Sequence, residues 1–176
     1  MKRSKLIIIR GSPATGKTTL AQSIIKHYKK NLKNKVALLT LDEFKWVMTA
    51  HEERDRKDFE ISFKNYLFSL ENYLKQGYII VTEDCFVKKY EDKSTDILKA
   101  IKLAKKYEAK TKLILLKGNW DTVIKINKLR PMVIPKNDLR DTYNKVYSYS
   151  LPREEIIEID KKTTAKILKE AINLIK

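Results

Sequence analysis

Behind the apolar run Leu6-Ile7-Ile8-Ile9 stands Gly11-Ser12-Pro13-Ala14-Thr15-Gly16-Lys17-Thr18-Thr19, and two of the chain's four glycines fall within it. Glycine reaches backbone conformations barred to residues with a Cβ, so the spacing G-x-x-x-x-G-K-T lets a loop turn its amide N–H groups inward around an anion. A strand before the loop and a helix after it supply the context, because the N-terminus of a helix adds the positive end of its dipole. The pattern therefore points to a nucleoside-triphosphate site. Gly11 through Thr19 form its wall, the Lys17 ammonium reaches the β- and γ-phosphates, and the Thr18 hydroxyl is a ligand for Mg²⁺. The other two glycines, Gly77 and Gly118, fall at a helix end and just beyond a strand, which are structural places.

The motif fits the rest of the chain. Strand-like apolar runs recur at Leu6–Ile9, Val36–Thr40, Tyr78–Thr82, Leu113–Leu116 and Ile156–Ile159, with helical patterns between them. Alternation of this kind predicts an α/β fold with a five-stranded parallel sheet and helices on both faces. Leu20, Ile24 and Ile25 mark one helix. Phe59, Phe63, Tyr66, Leu67, Leu70, Tyr73 and Leu74 mark a second, whose aromatics read as core. Ile97, Ala100, Ile101 and Ala104 mark another, and Thr163 is the expected cap of the last. At 176 residues, the chain is expected to form a single domain, with a small lid over about residues 130–141.

Composition narrows the setting. No apolar run approaches the ~18 residues of a membrane span, and no export signal is expected at the start of the chain. Cys85 is the only cysteine, which excludes an internal disulfide and fits a reducing cytoplasm. His27 and His51 lack metal-ligand spacing. The formal charge of +16 comes from 38 basic residues, of which seven are arginine, against 22 acidic ones. Such an excess suits a nucleic-acid partner. The lysines are spread over every segment, however, so a biased composition with a solvated surface explains the charge equally well.

In open parallel sheets, ligands bind beyond the carboxyl ends of the strands. Asp42, just after the second run, is placed to face a γ-phosphate and take the proton of an acceptor hydroxyl. It also reads as the cap of a short helix. Glu83 and Asp84 close the third run, where one of the two, by strand alternation, is expected to face Mg²⁺. Arg130 and Arg140 stand at the ends of a proline-bracketed loop. There they are candidates to swing over the nucleotide and stabilise charge on the transferred phosphoryl group, or they are solvated helix-end cations. The charge run His51–Asp58 is either a solvated face or the entrance for an acceptor.

With these residues in view, the chain resembles the P-loop kinases that include the polynucleotide 5′-hydroxyl kinases and the zeta-toxin type of sugar-nucleotide kinases. The stretch "NKLRPMVIPKNDLRDTYNKVY" is similar to the lid of that group, and "TEDCF" is similar to the Asp-Thr strand end of the polynucleotide kinases. The resemblance implies a three-layer P-loop kinase fold, ATP and Mg²⁺ as cofactors, Asp42 as general base and Arg130 as lid arginine. It also implies transfer of the γ-phosphate to a hydroxyl, with an RNA or DNA 5′ end or a nucleotide as the favoured acceptor. A sugar nucleotide or antibiotic as acceptor, and an ATP-binding switch without an acceptor, are the alternatives. The chain departs from the usual residues of the group in two places: Lys45 stands where arginine is common, and Pro13-Ala14-Thr15 where Pro-Gly-Ser is common.

Overall fold

β1 (Lys5–Gly11) lies at the middle of the molecule because its residues are apolar on both faces. Leu6 and Ile8 point to one side of the sheet, and Ile7 and Ile9 to the other; none of the four is more than 1% exposed. In the computed structural model, which describes residues 4–30, 35–46, 56–88 and 95–176, the remaining strands are β2 (Val36–Thr40), β3 (Ile79–Asp84), β4 (Lys110–Lys117) and β5 (Glu154–Glu158). They form one all-parallel sheet in the order β2-β3-β1-β4-β5.

Seven helices are described: α1 (Lys17–Lys29), α2 (Leu41–Trp46), α3 (Arg56–Lys75), α4 (Asp96–Lys106), α5 (Trp120–Asn127), α6 (Lys136–Tyr147) and α7 (Thr164–Ile175). Leu20, Ala21, Ile24 and Ile25 of α1 and Ala171 and Ile175 of α7 cover Ile7 and Ile9. Phe63, Tyr66, Leu70 and Leu74 of α3 and Ile97, Ala100 and Ala104 of α4 cover Leu6 and Ile8 on the opposite face. Each fully buried aliphatic side chain contributes about 1.5–3 kcal/mol, so these four residues anchor β1 at the centre of the sheet. No described helix is long and apolar enough to cross a membrane.

The expected segments are present with small shifts in their ends. Gly77 stops α3 with a φ of 72°, and Thr163 caps α7 by accepting a hydrogen bond from Lys166 N. The sequence from Trp120 to Arg130 is helical in pattern throughout, but α5 ends at Asn127. Asn127 closes the loop that follows, donating to Ile134 O at 2.9 Å and accepting from Ile134 N at 3.2 Å. Pro131 also disfavours helical backbone in Arg130 before it. Most of the charge run His51–Asp58 lies outside the described residues; its last three begin α3.

The register brings the site together. Arg10 of β1 is level with Asp84 of β3, Thr40 of β2 with Glu83, and Gly11 with Leu116 of β4. The connection from β1 to β2 passes β3, and that from β3 to β4 passes β1. Both crossovers therefore open a crevice at the carboxyl end of β1, where a parallel sheet takes its ligand.

Candidate active site

The loop between β1 and α1 is shaped by its own short-range bonds. Thr15 Oγ1 donates to Ser12 O at 2.8 Å, and Lys17 Nζ to the same carbonyl at 3.1 Å. The two glycines do different work. A Cβ on Gly11 would lie 2.7 Å from Leu116 O and 2.7 Å from Thr15 Oγ1, so the loop needs the space there. Gly16 has open space around it but a φ of 83°, so it is needed for its conformation.

Ala14 also adopts positive φ, at 62°. Left-handed backbone costs an L-residue about 1–2 kcal/mol, while glycine adds about 0.4–1 kcal/mol of entropy to the unfolded chain. Ala14→Gly is thus expected to leave the fold intact and to raise stability by up to about 1 kcal/mol. Urea unfolding checks this, and a clear loss of stability would show that the loop relies on the alanine methyl.

At Gly16 the α1 N-terminus has no side-chain cap and no acidic residue in its first turn. By contrast α4, α5 and α7 are capped by Thr95, Asn119 and Thr163. The uncapped N–H groups of α1 therefore remain available to an anion. Lys17 is buried among acidic neighbours. Burial works against its ammonium, but Cys85, Glu83, Asp84 and Asp42 outweigh that and hold its pKa above the ordinary lysine value.

The ends of β2 and β3 supply the carboxylates. Thr18 Oγ1 donates to Glu83 Oε1 at 3.0 Å. Burial raises the Glu83 pKa, and the Asp84 and Asp42 charges add to this against Lys17 and the Thr18 bond. Asp84 turns the other way. Lys45 Nζ donates to Asp84 Oδ2 and to Asp42 Oδ1, both at 2.9 Å, so one ammonium ties α2 to the end of β3. Alternation along the strand thus parts the two acids, leaving Glu83 with Thr18. Among the described residues no three His, Cys, Asp or Glu side chains cluster as a metal site. Mg²⁺ needs none when phosphates and water complete its shell, and a hydroxyl beside one carboxylate fits it.

Two clefts meet at these groups. One, of about 370 Å³, is walled by the phosphate loop, Glu83, Ile126, Arg130 and Ile134. The other, of about 450 Å³, is lined by Leu41, Lys45, Phe59, Phe63, Phe86, Lys88, Asp96 and Thr142 among others. Pro13, Asp42, Asp84 and Cys85 line both. Asp42 lies in the first turn of α2 with its side chain 56% exposed, so it is part of a helix start and faces both clefts. Arg130 is at the mouth of the phosphate cleft, whereas Arg140 is not placed there. Leu139 turns into the core, which directs Arg140 outward, and its guanidinium packs 3.7 Å from the centroid of the Trp120 ring.

Sequence reasoning did not find the second cleft, because Phe59 and Phe63 are spaced like core residues. Nor did it find Arg10. That side chain is buried beneath the loop, paired with Glu154 and donating to Val146 O and Tyr149 O, both at 2.8 Å. Its guanidinium also lies 4.4 Å from the Tyr149 ring centroid.

Burial pushes the Cys85 thiol up to about 11, with Asp84 and Asp42 adding to this and Lys17 opposing it. A thiol so raised holds on the order of a hundredfold less thiolate at pH 8 than an ordinary one. Alkylation of native Cys85 by iodoacetamide is expected to be slower by at least that factor than in urea, and to keep rising above pH 10 after the unfolded protein levels off. Equal native and unfolded rates would contradict the assignment.

The fold is shared with solved kinases. A gluconokinase from Sinorhizobium meliloti superposes with a TM-score of 0.67 at 13% identity, covering 99% of this chain and 93% of that one. The Mycobacterium tuberculosis APS kinase in complex with AMPPNP and APS gives 0.65 at 11% identity, covering 99% and 98%. The chain has the P-loop kinase fold. A chain of the Pnkp1/Rnl/Hen1 RNA repair complex shares the P-loop kinase fold over 84% of this chain and 45% of its own length, with a TM-score of 0.67 at 15% identity. No family model and no curated protein matches the sequence.

Proposed function

We propose that this protein is an ATP- and Mg²⁺-dependent phosphotransferase that moves the γ-phosphate to an acceptor hydroxyl. The observation that carries the reading is the meeting of the two clefts at Asp42 and Asp84. A triphosphate seated on the loop would present its γ-phosphate at the rim of the first cleft, and an acceptor in the second would lie beside it. Mg²⁺, when bound with ATP, neutralises charge on the β- and γ-phosphates, and Thr18 with Glu83 would hold it.

The chain's own residues supply the remaining chemistry. The loop amides and the α1 N-terminus bind phosphate, and Lys17 balances the charge that moves toward the β-phosphate. Asp42 accepts the proton of the acceptor hydroxyl as its oxygen bonds to phosphorus and the bond from phosphorus to the β-bridging oxygen breaks, leaving ADP. Lys45 holds Asp42 and Asp84 in place. Arg130, at the mouth, is the lid cation for the transferred group, with residues 130–141 as the lid that excludes water. Arg140 would join it only by leaving Trp120.

The acceptor favoured is a nucleic-acid 5′-hydroxyl or a nucleotide. Of the rings lining the cleft, Phe59 is 37% exposed and offers apolar surface to a base, while Lys45 and Lys88 bring positive charge to the same cleft. In the related fold, the APS kinase structure holds AMPPNP and APS together, two nucleotides at once. A small sugar-type acceptor is the second reading, and the bounded volume of the acceptor cleft, about 450 Å³, favours it. Salt separates the two. With labelled ATP and a panel of 5′-hydroxyl RNA, 5′-hydroxyl DNA, nucleosides and sugar nucleotides, the acceptor KM is expected to climb steeply with salt for the preferred substrate, as counterion release requires. A preferred acceptor that is small and neutral, with a salt-independent KM, would overturn the nucleic-acid assignment.

A further inference from the structure

Away from both clefts, α3 and α4 leave a second concavity on the outer face of the molecule. Its floor is Leu67, Phe68, Leu98 and Leu103, and the groove encloses about 990 Å³. Leu67 and Leu103 also pack against the core below, so the floor is fixed. Phe68 and Leu98 remain 67% and 43% exposed. On α3, Ile61 is exposed as well, and it stands two turns before Phe68 on the same helical face. An apolar strip of this kind on a charged chain marks an interaction surface.

The rim is cationic. Lys99, Lys102, Lys105 and Lys106 of α4 border the floor, and among the described residues the one acid lining the groove is Glu71. Glu71 is already engaged, accepting from the Tyr107 hydroxyl and from Lys106 at 3.3 Å. It also lies 3.7 Å from Lys75. These bonds hold its carboxyl below the ordinary glutamate range.

We propose that this groove docks an acidic amphipathic helix of a partner protein. Shape and charge together select that occupant. A concave trough between two helices accepts the apolar face of a third, read as side chains at i, i+3, i+4 and i+7, whereas a planar bilayer cannot fill it. The lysine rim meets carboxylates on the flanks of the docked helix, which sets its orientation and speeds encounter. At 11 residues, α4 offers a bed about 16 Å long, enough for three turns. The groove shares α3 and α4 with the acceptor cleft, through Phe59, Phe63 and Asp96, but the proposal stands whatever the acceptor is.

The test uses the full chain and a fluorescein-labelled synthetic peptide of about 15 residues, near the length at which an isolated helix becomes marginal. The peptide carries leucines at the i, i+3, i+4 and i+7 spacing with glutamates on the flanks, and its counterpart replaces every glutamate with lysine. The acidic peptide is expected to bind at least about tenfold tighter than the basic one, and to lose at least about tenfold in Phe68→Ser and in Leu98→Ser. Retained Mg-ATP binding shows that these exposed-site variants are folded. In the double variant Lys102→Glu, Lys105→Glu the preference is expected to reverse toward the basic peptide. Equal affinity for both peptides, or unchanged affinity in Phe68→Ser, would overturn the proposal. So would preferential binding to vesicles of phosphatidylcholine and phosphatidylserine, or self-association of the chain that Phe68→Ser abolishes.

Discussion

Asp42→Asn is expected to lower kcat by about 10²–10⁴, the range that a positioned general base supplies, while Mg-ATP binding stays within about twofold of wild type. The substitution is nearly isosteric, and an asparagine carbonyl still accepts the Lys45 hydrogen bond that Asp42 Oδ1 receives at 2.9 Å. What is lost is the proton acceptor, not the arrangement. Rapid-quench measurement at saturating ATP, with ATP affinity titrated separately, distinguishes a chemical defect from a binding one. A rate unchanged from wild type would show that the acceptor hydroxyl loses its proton elsewhere.

The largest effect on stability is expected at Arg10. Its side chain and that of Glu154 are 1% and 2% exposed, and Arg10→Met leaves the Glu154 carboxylate buried without its cation. Breaking a buried ion pair from one side costs about 3–5 kcal/mol, a large part of the 5–15 kcal/mol that holds a domain together. The carbonyls of Val146 and Tyr149 lose their donor as well. Replacing both partners, as in Arg10→Met with Glu154→Leu, is expected to recover much of the loss, because an apolar pair has no stranded charge. Denaturant unfolding with an unchanged m-value measures both. A single-variant cost below about 1 kcal/mol would mean that water reaches the pair. Since Arg10 directly precedes Gly11 and grips the end of α6, loss of the phosphate-loop geometry is expected to accompany loss of stability.

The strands and the phosphate loop were legible in the sequence because their signals are local. Ile7, Ile8 and Ile9 form a run too short for a helix, and Gly11 and Gly16 flank a fixed spacing. Thr163 and Gly77 announced a helix start and a helix stop for the same reason. Arg10 was not legible, since an arginine at a strand end reads as solvated and its partner lies 144 positions further on. The acceptor cleft was hidden likewise. Phe59 and Phe63 keep the spacing of a core helix, and only the packing of α3 against the end of β3 opens space between them and Asp42. Asn127 ended α5 early through a side-chain bond to Ile134, which no periodicity reports. Arg140 was placed with Arg130 because both flank the same loop. Arg130 lies beyond the early end of α5, while the direction of Arg140 was decided by the inward turn of Leu139 and by the Trp120 ring.

The central claim is direct transfer from a nucleotide on the loop to a hydroxyl in the adjoining cleft. It is tested most directly by counting phosphorylated acceptor against ADP formed in the same reaction. A ratio near one for the wild type, with both products falling together in Asp42→Asn, is the expected result. ADP formed without phosphorylated product, unaffected by Asp42→Asn, would contradict the claim and describe an ATP-hydrolysing switch.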